Sequence, residues 1–137
     1  MKKKLLIFVS MIVILVVALL LIIQPWAEKP FKNLSTSEIS SVSVELLPPE
    51  KSFDLSDDNI AELIKILNSV VIYNKDSSHT QYSGQAVIYT ITKADGTTIT
   101  INAYNPFLII DGVGYKTKYE PCEELNALGN EILNNAK

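Results

Sequence analysis

The side chains best suited to chemistry lie in a polar segment, residues 74–84, which holds the single histidine of the chain. Asp76 and His79 stand three positions apart, and a carboxylate that orients an imidazole is a pairing that general bases use. Neither a GxSxG sequence nor a cysteine pair accompanies them. The segment therefore supports a hydrolase only as an alternative, and a solvated loop histidine is the simpler interpretation.

Metal and cofactor motifs have less support still. A zinc site needs several His or Cys ligands, and the chain has one of each. Asp54, Asp57 and Asp58 resemble part of a calcium loop, but the glycine and final glutamate of such a loop are missing, and these residues suit a helix start better. Since no GxGxxG or GxxxxGK sequence is present to hold phosphate, we predict no cofactor, no metal and no catalytic residues.

Binding is better supported, because several tyrosines cluster near predicted loops and strand ends. A tyrosine ring offers contact area at low entropy cost and is favoured at interfaces. Alternatively, tyrosines at a sheet edge close the core and expose only the hydroxyl group. The candidate binding residues are Asp76, His79, Tyr82, Tyr104, Tyr115 and Tyr119.

An apolar segment indicates where these side chains lie. Residues 5–23 carry no charge and follow three lysines at positions 2–4. At about 1.5 Å per residue, a helix of this length reaches about 28 Å, close to the ~30 Å hydrocarbon core of a bilayer. Lysines favour the cytoplasmic side. We therefore predict a single-pass protein of the cell membrane, with residues 1–24 as cytoplasmic lysines and signal anchor and the C-terminal part outside the cell.

A cleaved signal peptide is the alternative to this anchor. Its apolar core runs about 7–15 residues and ends at a small-x-small cleavage site. The run here is longer, and Pro25 stands two positions before Ala27, where a small residue is needed. A lipoprotein would need a cysteine just past the run, but the single cysteine is Cys122. A retained anchor is favoured, and Trp26 suits the headgroup zone.

The part beyond the apolar segment is acidic. This part contains nine lysines and fifteen Asp and Glu residues, which gives a formal charge of −6. The chain has no arginine. Recognition of phosphate or nucleic acid depends on clustered positive charge. We therefore predict neither a phosphate ligand nor a nucleic-acid partner, and we expect an anionic membrane surface to repel the domain. The predicted contacts are the membrane, through residues 5–23, and another protein of the cell envelope.

Residues 25–37, with two prolines and mixed charge, are predicted to form a stalk, and residues 38–137 a single domain. Alternating apolar and polar residues predict a strand over 42–46, which two prolines end. Apolar residues at i, i+3, i+4 and i+7 predict a helix with Ser56 as its N-cap. A second helix is predicted from residue 120, with Cys122 as a buried thiol.

Two hairpins follow from the requirement that apolar residues face each other across a sheet. A three-residue turn, 94–96, with Gly96 left-handed, pairs the apolar residues of 87–91 with those of 99–103. A two-residue turn at Asp111 and Gly112 pairs Ile110 with Val113. The predicted fold class is α+β, with an N-terminal transmembrane helix and then a two-layer domain: an antiparallel sheet of about six strands, in the order β-α-β-β-β-β-β-α, with two helices on one face.

A resemblance to a known group is carried by three stretches, VVIYNKDSSHTQYSGQAVIYTITKADGT, NPFLIIDGVGYKTKYEPCEEL and SSVSVELLPPE. They resemble small uncharacterised proteins of low-GC Gram-positive bacteria that are membrane-anchored or secreted. The resemblance covers residues 31–128. It implies an extracytoplasmic domain of unknown function and implies no catalytic residues.

These features predict a membrane-tethered extracytoplasmic binding or sensing module that acts through envelope protein partners. Three cytoplasmic lysines cannot relay a signal, so a partner would have to do so. A small envelope hydrolase using His79 is one alternative. A structural or inhibitory surface protein is another.

Overall fold

The computed structural model describes residues 1–23 and 27–137. The first helix, α1 (Lys2–Ile23), is long and apolar enough to cross a membrane, and a signal sequence would meet the same test. Trp26, predicted for the headgroup zone, lies outside the described residues.

The domain that follows is built on one antiparallel sheet. Its strands are β1 (Ile39–Leu47), β2 (Lys51–Asp54), β3 (Ile72–Lys75), β4 (Ala86–Lys93), β5 (Thr98–Tyr104), β6 (Phe107–Ile110) and β7 (Val113–Thr117). They lie in the order β2-β1-β4-β5-β6-β7-β3. Two helices, α2 (Asp57–Ser69) and α3 (Tyr119–Asn135), complete the domain.

The core lies between one face of the sheet and the two helices. Val44 of β1 pairs with Tyr89 of β4, which pairs with Ile101 of β5, and all three side chains are fully buried. The helices add Leu63 and Leu125, among others, to the same cluster. Both helices therefore cover a single face, and the predicted two-layer α+β class is confirmed.

The predicted strand registers are also confirmed. Val87, Tyr89 and Ile91 pair with Ala103, Ile101 and Ile99. Gly96 has φ +87° in the three-residue turn, and Asp111 and Gly112 have φ +48° and +84° in the two-residue turn. Positive φ at both central residues is the signature of a type I′ turn, whose twist suits a hairpin. Ser56 caps α2 as predicted, because its hydroxyl accepts a hydrogen bond of 3.3 Å from the amide of Asn59.

The sheet has a seventh strand that the sequence pattern does not predict. After the two prolines the chain reverses at Glu50, which has φ +62° and donates a backbone hydrogen bond of 2.8 Å to Leu46. Strand β2 then pairs with the end of β1, with Phe53 opposite Val44. A four-residue strand with one large apolar side chain is too short for a period of two to be recognised.

The segment predicted as a stalk packs on the domain instead. Glu28 exchanges two backbone hydrogen bonds with Ile72, of 2.9 and 2.8 Å, and so extends the sheet beyond β3. Phe31 is 7% exposed and belongs to the core. The amide of Asn68 donates to the carbonyl oxygens of Phe31 and Leu34, at 2.7 and 3.0 Å. The folded part therefore begins at Glu28 rather than at residue 38.

Helix α3 lies close against the sheet. Its Gly129 is buried, and a Cβ at this position would press on Val87 and lie 3.3 Å from the Tyr89 hydroxyl. That hydroxyl donates to the carbonyl of Leu125. In the first turn of α3, Cys122 is fully buried, and burial raises the pKa of its thiol to about 12. This environment favours the interpretation of Cys122 as an unreactive structural thiol.

Candidate binding site

The polar segment predicted as a loop folds back over the outer face of the sheet, the face opposite the helices. We call residues 76–82 the polar loop. The amide of Asp76 donates a hydrogen bond of 2.9 Å to the carbonyl of Gly114 in β7. A Cβ at Gly114 would collide with the Asp76 carbonyl and the His79 ring. The close approach of the polar loop to β7 therefore depends on glycine at position 114.

A small aromatic cluster lies beneath this loop. Phe107 pairs with Tyr104 and Lys116, so it lies on the outer face, yet it is 6% exposed and separate from the main core cluster. The rings of His79 and Tyr82 cover it, with centroids 6.2 and 5.4 Å from its own. The hydroxyl of Tyr104 donates to the carbonyl of Tyr82 at 2.6 Å. The polar loop thus has a packing centre of its own.

Asp76 contributes a negatively charged carboxylate to the site. Its carboxylate accepts hydrogen bonds from the hydroxyl and the amide of Ser78, at 2.5 and 2.8 Å. Its other oxygen lies 3.8 Å from the ammonium of Lys116. The Ser78 hydroxyl, then the Ser78 amide, and more weakly the charge of Lys116 hold the pKa of Asp76 below its ordinary value of 3.8. The side chain of Lys116 is 66% exposed, so its ammonium remains available to a ligand.

These groups surround a cavity of about 510 Å³ at the end of β7. We call it the tyrosine cavity. It is lined by Tyr73, Asp76, Ser78, Tyr82, Pro106, Phe107, Lys116 and Thr117. Its volume lies within the roughly 300–1,000 Å³ of small-molecule sites. Ring faces beside a carboxylate, an ammonium and hydroxyl groups suit a ligand with both apolar and polar surface, such as the side chains of a protein partner.

The structure brings together part of the predicted binding set. Asp76 and Tyr82 line the cavity, His79 packs beside Phe107, and Tyr104 holds the polar loop in place. The other two predicted residues are separate from it. Tyr115 lies on the opposite face of the sheet, packed against the core, and Tyr119 is 56% exposed in the first turn of α3, outside the cavity lining.

Asp76 and His79 do not form the pair that a general base would use. The Nδ1 atom of His79 lies 3.4 Å from the backbone carbonyl of Asp76, whereas the carboxylate is engaged by Ser78. The imidazole is held between Gly114 and Phe107. Within residues 1–23 and 27–137, no three His, Cys, Asp or Glu side chains converge on a point where a metal ion could bind.

Several cavity residues are missing from the predicted set, among them Phe107 and Lys116. One signal for them exists in the sequence. The register of the second hairpin places Phe107 on the outer face, opposite Lys116, and a large apolar residue on a face expected to be solvated indicates a covering element. The identity of that element depends on a non-local contact of the polar loop, which no periodicity encodes.

Comparison with known proteins gives no relative for this chain: no family model, no curated protein and no solved structure matches it.

Proposed function

We propose that this chain is a membrane-tethered extracytoplasmic binding module, with α1 as a retained anchor and the tyrosine cavity as the contact for an envelope protein partner. The observation that carries the proposal is the cavity itself. It combines exposed ring surface on Tyr82, which is 60% exposed, with the charged pair Asp76 and Lys116. Aromatic side chains are enriched at the centre of protein contact surfaces, and polar groups surround them at the rim.

The position of the cavity supports a partner at the membrane. Glu28 pairs with Ile72, the residue next to Tyr73 of the cavity lining. The five residues from Ile23 to Glu28 span at most about 18 Å when fully extended. With α1 in a bilayer, the edge of the sheet that carries the cavity lies close to the outer surface.

Among the alternatives, a purely structural or inhibitory protein would favour a closed surface on this face, and the cavity gives that idea no support. A hydrolase would need a carboxylate to orient His79, whereas the ring packs against Phe107 and Gly114 and the carboxylate of Asp76 is engaged by Ser78. We therefore retain the binding module as the single proposal.

The test is site-specific photo-crosslinking of the full chain in native membranes. A benzophenone amino acid replaces Tyr82 in one variant and Thr98, an exposed residue at the far end of the outer face, in the control. We expect a discrete crosslinked partner from position 82, lost when Lys116→Ala is added, and none from position 98. Equal crosslinking at both positions, or a position-82 partner unaffected by Lys116→Ala, would overturn the proposal.

A further inference from the structure

A second cavity, of about 640 Å³, lies where the segment after α1 meets the sheet. Its lining includes Lys29, Lys32, Lys93 and Glu38, over an apolar base formed by Phe31 and Ile99. We call it the lysine cavity. Three of the nine lysines that follow α1 line it beside one acidic residue. It is therefore locally basic, although this part of the chain as a whole carries a formal charge of −6.

The three lysines come from two segments that are fixed to each other. Buried Phe31 and the hydrogen bonds from Asn68 hold residues 31–34 against the domain. Lys93 ends β4, where its backbone pairs with Ile39 and the next amide, that of Ala94, donates to Glu38 at 2.8 Å. The ammonium groups are thus presented around one concavity by a structured backbone and not by a free linker.

The first residue of the lysine cavity follows α1 closely in the sequence. Lys29 follows Ile23 by six residues, which reach at most about 21 Å when extended. A tether of this length keeps the cavity at millimolar effective concentration relative to the adjacent lipid headgroups. Lysine ammonium groups are attracted to an anionic membrane surface over about one Debye length, near 8 Å at physiological ionic strength.

We propose that the lysine cavity binds the phosphate of an anionic phospholipid headgroup in the leaflet next to the domain, and so fixes the orientation of the domain on the bilayer. The inference rests on the retained anchor of the proposed function but concerns a different site from the tyrosine cavity. Net charge alone predicts repulsion from an anionic surface. The clustering of three lysines beside the tether reverses that expectation for one face.

The test compares the full chain in two nanodiscs, one of phosphatidylcholine alone and one containing phosphatidylglycerol. Every lysine is modified with an amine-reactive reagent and quantified by mass spectrometry. We expect modification of Lys29, Lys32 and Lys93 to fall at least threefold in the anionic nanodisc, while the exposed Lys51 and Lys65 change little. Each lysine near an anionic surface adds about fivefold to the interaction, so Lys93→Gln should restore most of the modification of Lys29 and Lys32.

A further arm adds inorganic phosphate to the phosphatidylcholine nanodisc. Protection of the three lysines by inorganic phosphate but not by phosphatidylglycerol would show that the source is a soluble phosphate and would overturn the lipid proposal. Uniform protection of all lysines, or none, would also overturn it. Because the nanodisc holds α1 in a bilayer by design, these outcomes are independent of crosslinking at the tyrosine cavity.

Discussion

Asp76 joins the polar loop to the sheet through its backbone and through its carboxylate. Its backbone amide donates a hydrogen bond to the carbonyl of Gly114. Its carboxylate accepts two hydrogen bonds from Ser78 and lies 3.8 Å from the ammonium of Lys116. The hydrogen bonds favour the charged form, so the pKa of Asp76 lies below 3.8. A depressed carboxyl pKa contributes stability that is fully present above the unfolded value and is lost as the pH falls through the folded value.

We therefore expect the polar loop to keep its conformation from neutral pH down to about pH 4 and to loosen only below it. The measurement is the pH titration of the Ser78 amide proton by NMR, in the full chain in micelles. Its midpoint should lie below 3.8, the ordinary value for Asp, and the titration should disappear in Asp76→Asn. A midpoint at or above the ordinary value would contradict the charged hydrogen bond.

Gly114 determines how closely the polar loop can approach β7. A methyl group there would meet the Asp76 carbonyl and the His79 ring, so Gly114→Ala should push the loop outward without disturbing the core. We expect trypsin cleavage after the exposed Lys75, the last residue of β3 before the loop, to increase several-fold. Gly84→Ala is the matched control, because its nearest neighbour would be Tyr104 at an ordinary 3.9 Å. Equal cleavage of the two variants would show that Gly114 does not hold the loop.

Gly129 stabilises the packing of α3 on the sheet, although glycine has a low helix propensity. In an isolated helix, glycine is less favourable than alanine by about 1 kcal/mol. In α3 an added methyl group would press on Val87, and overpacking costs about 1–3 kcal/mol. Gly129→Ala should therefore lower the free energy of unfolding by about 1 kcal/mol, measured by urea titration. Ala127→Gly, at an exposed position of the same helix, should lower it by a similar amount through propensity alone. A stabilised Gly129→Ala variant would show that α3 can move away from the sheet.

The two hairpins could be predicted from sequence, whereas β2 and the position of Phe31 could not. The registers of the two hairpins follow from side-chain alternation, because a one-residue slip would bury polar residues. Strand β2 and the packing of Phe31 depend on short segments with one anchoring side chain each, so periodicity cannot identify them. The residues of the candidate site could be predicted from sequence only in part. Asp76 and Tyr82 are found by residue type, whereas Lys116 is found only once the polar loop is placed over β6 and β7.

On the scale of the whole chain, the two cavities differ in the charge of their linings. The lysine cavity concentrates positive charge, while the tyrosine cavity contains one acidic and one basic group. Glu28 and Phe31 attach residues 28–34 to the sheet edge and to the core. Residues 28–34 are therefore part of the domain that carries both cavities.

Phe31 provides the test of that connection. As part of a stalk it would contribute almost nothing to stability, whereas a buried phenylalanine replaced by alanine costs about 3–5 kcal/mol. Since Phe31 is 7% exposed and contacts the core cluster, we expect Phe31→Ala to destabilise the domain by about 3 kcal/mol. The measurement is urea unfolding of the full chain in micelles, followed by the near-UV circular dichroism of its tyrosines.

Asn33→Ala is the matched control for Phe31→Ala, because Asn33 is exposed two positions further along the same segment. Exposed substitutions of this kind change stability by about 0.5 kcal/mol or less. If both variants unfold at the same urea concentration as the unmodified chain, residues 28–34 do not belong to the folded unit, contrary to the pairing of Glu28 with Ile72. A large effect of Phe31→Ala alone shows that the folded unit includes this segment, because only a side chain packed in the core loses stabilising contacts when it is truncated.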